Sequence, residues 1–177
     1  MNKNGYTLME LVVVIGVMLV IIGSGMAVFY QSLRSGSKID FELFLDSSSR
    51  LIENSMVGVI EYSRIVSLEG QDQDACLAAG PSGVLGNSLI VDIEGNFTEY
   101  ALEDGYITSS SAETRSYVNI NPDGVSINIL SFNWVCLYGE TERLIASFTA
   151  QAEKDDQEVA ILKEFSFEML LKNSGYY

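Results

Sequence analysis

The rhythm of hydrophobic and polar positions changes three times along this chain. From Leu11 to Tyr30 no side chain is charged, and the run Leu11-Val12-Val13-Val14-Ile15-Gly16-Val17-Met18-Leu19-Val20-Ile21-Ile22 is almost wholly aliphatic. A helix of that length spans about 30 Å, the thickness of a bilayer's hydrocarbon core. The stretch therefore predicts a membrane-spanning helix. The segment Gln31-Ser32-Leu33-Arg34-Ser35-Gly36-Ser37 reads as a flexible joint, and Ser37 with Asp40 has capping-box spacing. A stripe at three- and four-residue spacing follows: Phe41, Phe44, Leu45, Ser48, Ile52, Met56, Val59, Ile60 and Ser63. It predicts an amphipathic helix running to about Val66. The expected outer face carries Asp40, Glu42, Asp46, Arg50, Glu53, Glu61 and Arg64.

Residues 69–87 look irregular, with Gly70, Gly80, Pro81 and Gly83 breaking any period. From Ser88 the period becomes two. Leu89, Val91 and Ile93 alternate with polar neighbours, and Glu94-Gly95-Asn96 turns the chain into Phe97–Leu102. Glu103-Asp104-Gly105 leads into Tyr106-Ile107-Thr108, Ser109–Ala112 reads as a polar loop, and Asn121-Pro122-Asp123-Gly124 is a strong turn. Val125, Ile127 and Ile129 alternate, and then the phase slips to Leu130, Phe132, Trp134 and Cys136, which predicts a bulge or a break. Leu144, Ala146, Phe148 and Ala150 form the next alternating set, and Val159, Ile161, Phe165, Phe167, Met169 and Leu171 the last. Short strands with Gly turns after a long helix predict an α+β fold with an antiparallel sheet.

Composition sharpens this division. Hydrophobic residues make up 47% of the 177 residues and charged ones only 19%, because the apolar surplus sits at one end. Residues 1–30 hold Lys3 and Glu10 and no other charge, so the whole net charge of -14 lies beyond them. A head this acidic repels phosphate backbones, which argues against nucleic-acid binding; its simplest meaning is solubility. The chain has no His, the commonest general base and transition-metal ligand. No Gly-x-Ser-x-Gly elbow or Gly-rich phosphate loop is present either. We expect no enzyme, no cofactor and no metal. Asp72 and Asp74 are spaced as Ca²⁺ ligands sometimes are, but no EF-hand loop surrounds them, so a solvated acidic loop is expected.

Glu10 separates the readings of the N-terminus. A carboxylate abutting a membrane segment is expensive and usually has a partner. An ordinary secretory signal peptide, cleaved near Gly23-Ser24-Gly25, explains neither Glu10 nor the continuation of the apolar run beyond it. A plain single-pass anchor explains the length but not the pattern from Gly5 to Glu10. Were the chain cut after Gly5, the new α-amine on Tyr6 would lie one helical turn from Glu10, and a neighbour's amine could pair with that carboxylate.

The run Gly5-Tyr6-Thr7-Leu8-Met9-Glu10-Leu11, leading into an apolar helix, resembles the processing site of type IV prepilins and pseudopilins. The resemblance implies that a prepilin peptidase cuts after Gly5 and methylates Tyr6, and that Glu10 guides assembly. Tyr6 stands where the family usually has Phe. The Pro common in major pilins is absent from the region Ile22-Gly23-Ser24-Gly25-Met26-Ala27, which leans towards a minor pilin or pseudopilin. Gly23 and Ala27 make a small-residue face for close packing. The strand-turn spacing of the remainder is similar to minor pseudopilin heads.

The expected organisation is a leader at 1–5, an assembly helix at 6–30, an amphipathic helix at 31–68 and a β-rich head at 69–177. Lys3 favours a cytoplasmic N-terminus, an inner-membrane anchor and an external head that later joins a surface or periplasmic filament. Expected partners are the peptidase, the membrane and other pilin subunits. The alternative is an anchored extracytoplasmic binding module that uses the same leader. Cys76 and Cys136, the only cysteines, would form a disulfide in an oxidising compartment, or remain two thiols with Cys136 buried in its apolar run.

Overall fold

The computed structural model describes residues 7–111, 117–154 and 157–172. They form two compact units, one up to Glu42 and one from Leu43 onward.

A single helix, α1 (Leu8–Ile60, 53 residues), accounts for most of the first unit and opens the second. The expected joint at Gly36 is absent, since the backbone stays helical through 31–40. One glycine weakens a helix by only about 1 kcal/mol, too little to break it without a proline. Helical pattern persists to Val66, yet α1 stops at Ile60. Ser63 turns its hydroxyl back onto the carbonyl of Ile60 at 2.9 Å, and the backbone N–H of Lys172 takes the Glu61 carbonyl at 2.7 Å. Ile65 and Val66, both β-branched, then join strand β1 (Arg64–Leu68), which pairs with β3.

Five strands form one antiparallel sheet in the order β1-β3-β4-β5-β6, with β3 at Leu89–Ile93, β4 at Asn96–Glu103, β5 at Tyr106–Ser111 and β6 at Tyr117–Asn119. Its tight hairpins sit at Glu94-Gly95 and Asp104-Gly105, where both turn residues have positive φ, as a two-residue hairpin turn requires. Ser109–Ser111, expected as loop, extend β5 by pairing with Tyr100, Glu99 and Thr98. A second antiparallel sheet has the order β2-β7-β8-β9, with β2 at Val84–Gly86, β7 at Val125–Val135, β8 at Arg143–Lys154 and β9 at Gln157–Leu170. The predicted phase slip is a bulge between Ile127 and Ile129. Its position differs from the sequence pattern: Ile127 and Leu130 are buried, and Ile129 is turned out. The segment expected to be irregular contains a second helix, α2 (Gln73–Ala79), and a 3-10 turn at Gly80–Ser82.

The second unit is built on one face of α1. Leu45, Ile52, Met56 and Ile60 are fully buried, at the spacing of a core-facing stripe. Leu89, Val91, Tyr100 and Ile107 from the first sheet share the core with Phe132, Trp134, Leu144 and Phe148 from the second. Ion pairs flank the helix: Lys163 meets Asp46 at 2.6 Å and Lys172 meets Glu61 at 2.6 Å. Lys172 also lies over the Tyr62 ring at 4.4 Å. Burial is asymmetric at neighbouring positions: Ile52 is fully buried while Leu51 is 53% exposed. We expect Ile52→Ala to lower the unfolding free energy by about 2–5 kcal/mol, and Leu51→Ala to change it by less than about 0.5 kcal/mol. Urea unfolding of the two variants in detergent checks this.

Tyr100 is only 3% exposed on the inner face of β4. Burial pushes its phenol up from 10.0 to about 12, and the hydrogen bond to Ser109 partly opposes that rise. The folded state thus holds the proton that the unfolded chain releases first. The resulting stability is complete below pH 10 and disappears as pH rises through about 12, by about 3 kcal/mol in total. Wild type is expected to lose stability between those pH values, and Tyr100→Phe to lose markedly less, measured by chemical denaturation at stepped pH.

Candidate functional site

The first unit offers the clearest functional surface. Leu8–Leu33 forms 26 helical residues containing an 18-residue window of mean hydropathy 2.8, and all of them are exposed. Their length, about 39 Å at 1.5 Å per residue, exceeds a hydrocarbon core. Gly16, Gly23 and Gly25 have nothing within 4 Å of the position a Cβ would take, so this helix presents open, close-approach faces. Ser24 donates to the carbonyl of Ile21 at 2.9 Å, and the helix runs unbroken through the Gly23–Gly25 segment.

The helix begins with a reciprocal cap. Glu10 N–H donates to Thr7 Oγ1 at 3.3 Å, while Glu10 Oε2 accepts from Thr7 N at 3.1 Å and from Thr7 Oγ1 at 3.2 Å. This is a capping box, whose first residue and fourth residue satisfy each other's orphan donors. The signal is present in the sequence as Thr7-x-x-Glu10, the spacing of a capping box. Glu10 is otherwise exposed, with its carboxylate at the positive end of the helix dipole. Gly5 and Tyr6, the predicted processing site, lie outside the described residues.

The exposed crest of α1 in the second unit differs from the sequence expectation. Asp46 and Glu61 are drawn into the lysine pairs already described, and Glu53 is half-buried. Between these flanks, Leu43, Ser47, Leu51, Asn54 and Gly58 are exposed and uncharged, at intervals of four, four, three and four residues, with the exposed Arg50 beside them. That spacing keeps them on one helix face.

Cys76 and Cys136 are joined in a disulfide with a Cα–Cα distance of 5.5 Å, and both are buried. The bond ties α2 to the end of β7. It closes a loop of 60 residues, which constrains the unfolded chain by roughly 4 kcal/mol in the entropy model. Beside it lies a buried polar group that sequence reading did not find. Glu142, 7% exposed, accepts from Trp134 Nε1 at 3.0 Å and from Gln73 Nε2 at 2.7 Å. Only tertiary contact brings residues this far apart together, and no local signal marks them. Asp72 is used as the N-cap of α2, accepting from Ala75 N at 3.1 Å. Among the described residues, no three His, Cys, Asp or Glu side chains gather as a metal site.

Comparison with protein-family models, curated proteins and solved structures gives no match for this chain.

Proposed function

We propose that this chain is a type IV pilin-like structural subunit, processed after Gly5, anchored in the inner membrane through its N-terminal helix and assembled by that helix into an extracytoplasmic filament. The observation that carries the reading is the wholly exposed apolar surface of Leu8–Leu33. So much apolar surface is unstable in water and must be covered by lipid or by other helices. The motif Gly5-Tyr6-Thr7-Leu8-Met9-Glu10 adds the processing chemistry, and the two-sheet head packed on the later part of α1 fits a subunit carried outside a helical core.

Lys3 by itself does not set the orientation, because Arg34 and Lys38 follow the apolar run at its other end. The disulfide supplies the stronger argument: such bonds persist in oxidising compartments, which supports a head outside the cytoplasm. Partners are the prepilin peptidase, which would also methylate Tyr6, and other pilins or pseudopilins. The exposed Leu43 and Leu51 on α1 support helix contact beyond the membrane segment. The absence of a helix-breaking Pro from the apolar run favours a minor subunit. The role is structural rather than catalytic.

Glu10 has two separable jobs in this scheme. As a cap it needs only an acceptor at the end of its side chain, and glutamine supplies one. As an assembly group it needs charge, because it pairs with a neighbour's α-amine where an unpaired charge is costly.

Mass spectrometry of the N-terminal peptide from native membranes is the direct test of processing. A chain starting at Tyr6 with one added methyl is expected, whereas a start near Met26 would mean an ordinary signal peptide and end the filament reading. For assembly, Glu10→Gln and Glu10→Leu are both expected to insert in the membrane and to enter sheared filaments roughly tenfold less than wild type, as loss of a low-dielectric ion pair implies. Normal incorporation of Glu10→Gln would reduce Glu10 to a helix cap.

A further inference from the structure

At the end of the head where the two sheets meet, a cleft of about 180 Å³ is lined by Asp104, Tyr106, Gly124, Val125, Ser126 and Gln151. We propose that this cleft binds a primary alkylammonium group, carried by a small free amine or by a lysine side chain. The proposal does not depend on the filament reading.

The cleft is built on a rigid floor. Asn121, 4% exposed, lies beneath it and makes three hydrogen bonds: its Oδ1 accepts from Ile107 N at 2.8 Å, and its Nδ2 donates to Val125 O at 2.6 Å and to Gly105 O at 3.4 Å. Ile127 N also donates to Gly105 O at 2.8 Å. The Asp104-Gly105 turn, which carries one wall, is therefore held to the start of β7, which carries another. Gly105 cannot be replaced cheaply: its φ is +81°, and a Cβ would come within 2.7 Å of Ser126 Oγ. On the third wall, Asn128 donates to Gln151 Oε1 at 2.9 Å, which orients that amide. A site whose walls are fixed in advance loses less on binding.

Size and charge select the ligand. The volume is about that of six liquid waters and lies below the range of about 300–1,000 Å³ for drug-sized sites, so it suits a group of only a few heavy atoms. Among the described residues of the lining, Asp104 is the only acidic one and none is Lys or Arg. The head carries the chain's whole net charge of -14. Anions are thus disfavoured both locally and at long range, and cations are attracted. Val125 and the Cα of Gly124 offer apolar contact for a short hydrocarbon stem. Tyr106 brings an aromatic ring to the lining, and the Tyr106 and Ser126 hydroxyls are acceptors that an ammonium can use. A carboxylate, an aromatic ring and neutral oxygens around a small apolar floor are what an alkylammonium requires.

The test is NMR titration of the ¹⁵N-labelled full chain in non-ionic maltoside micelles at pH 7, with n-butylammonium chloride, Nα-acetyl-lysine methylamide and n-butanol. Saturable shifts confined to residues around Asp104–Tyr106, Gly124–Ser126 and Gln151 are expected, with a Kd on the order of 1 mM for so small a ligand. n-Butanol is expected to cause none. Asp104→Asn is the informative variant. Its residue sits at φ +49°, a conformation Asn adopts readily, and Asn-Gly is itself a favoured hairpin turn, so the fold is retained while the charge is removed. It should weaken binding about fivefold, the scale of one partly exposed ion pair, and Tyr106→Leu about threefold. Binding of the blocked lysine at least as tight as butylammonium assigns a lysine side chain as the natural ligand, and tighter butylammonium binding assigns a free amine. Equal shifts with n-butanol, unchanged affinity in Asp104→Asn, or linear shifts spread over the acidic surface would each overturn the proposal.

Discussion

The fold of the head rests on one stripe of one helix. Leu45, Ile52, Met56 and Ile60 are fully buried, as are Leu89 and Val91 of one sheet and Phe132 and Trp134 of the other. A side chain of this size contributes about 1.5–3 kcal/mol when moved from water to the interior, so four of them on one face are a large share of a marginal stability. The same helix has no such stripe further back. From Leu8 to Leu33 it is apolar on every side and covered by nothing within the molecule. α1 thus changes character along its length: its later turns face a protein interior on one side, and its earlier ones are long and apolar enough to cross a membrane.

Directional contacts then decide how the rest is arranged on that stripe. Lysines from the far end of the chain, Lys163 and Lys172, reach back to Asp46 and Glu61. Pairs this exposed contribute little energy individually, but they tie the last strand and the chain after it to the helix. Inside the head, Asn121 joins β5 to the start of β7, and Glu142 joins α2 to β7 and β8 through Gln73 and Trp134. A buried polar group without partners is costly, so each of these admits few alternative arrangements. The disulfide acts on the same corner as Glu142 and restricts the unfolded chain instead.

Much of this was legible residue by residue. The apolar run, the buried stripe of α1, the Gly-bearing hairpin turns, the bulge in β7 and the alternation of β8 all follow from period and turn chemistry. The Thr7–Glu10 cap is legible in the same way, from its spacing. Less could be read where local and long-range preferences disagree. Ile65 and Val66 continue a helical period, yet they pair with β3 because a neighbouring strand offers them a ladder. Residues 73–79 have loop-like surroundings, yet Asp72 caps a helix there and Cys76 anchors it.

By itself, then, the sequence determined which segments are apolar, their periods and where the chain turns, because these depend on neighbours within a few positions. It also carried the N-terminal motif and the charge asymmetry between the ends. Only the tertiary structure decided where α1 stops, which strands share a sheet, that Glu142 meets Trp134 and Gln73, and that Asp104, Tyr106, Ser126 and Gln151 surround one cleft. Those groups lie up to 69 residues apart. No local period encodes such a meeting, because it is set by the packing of whole elements on the buried face of α1.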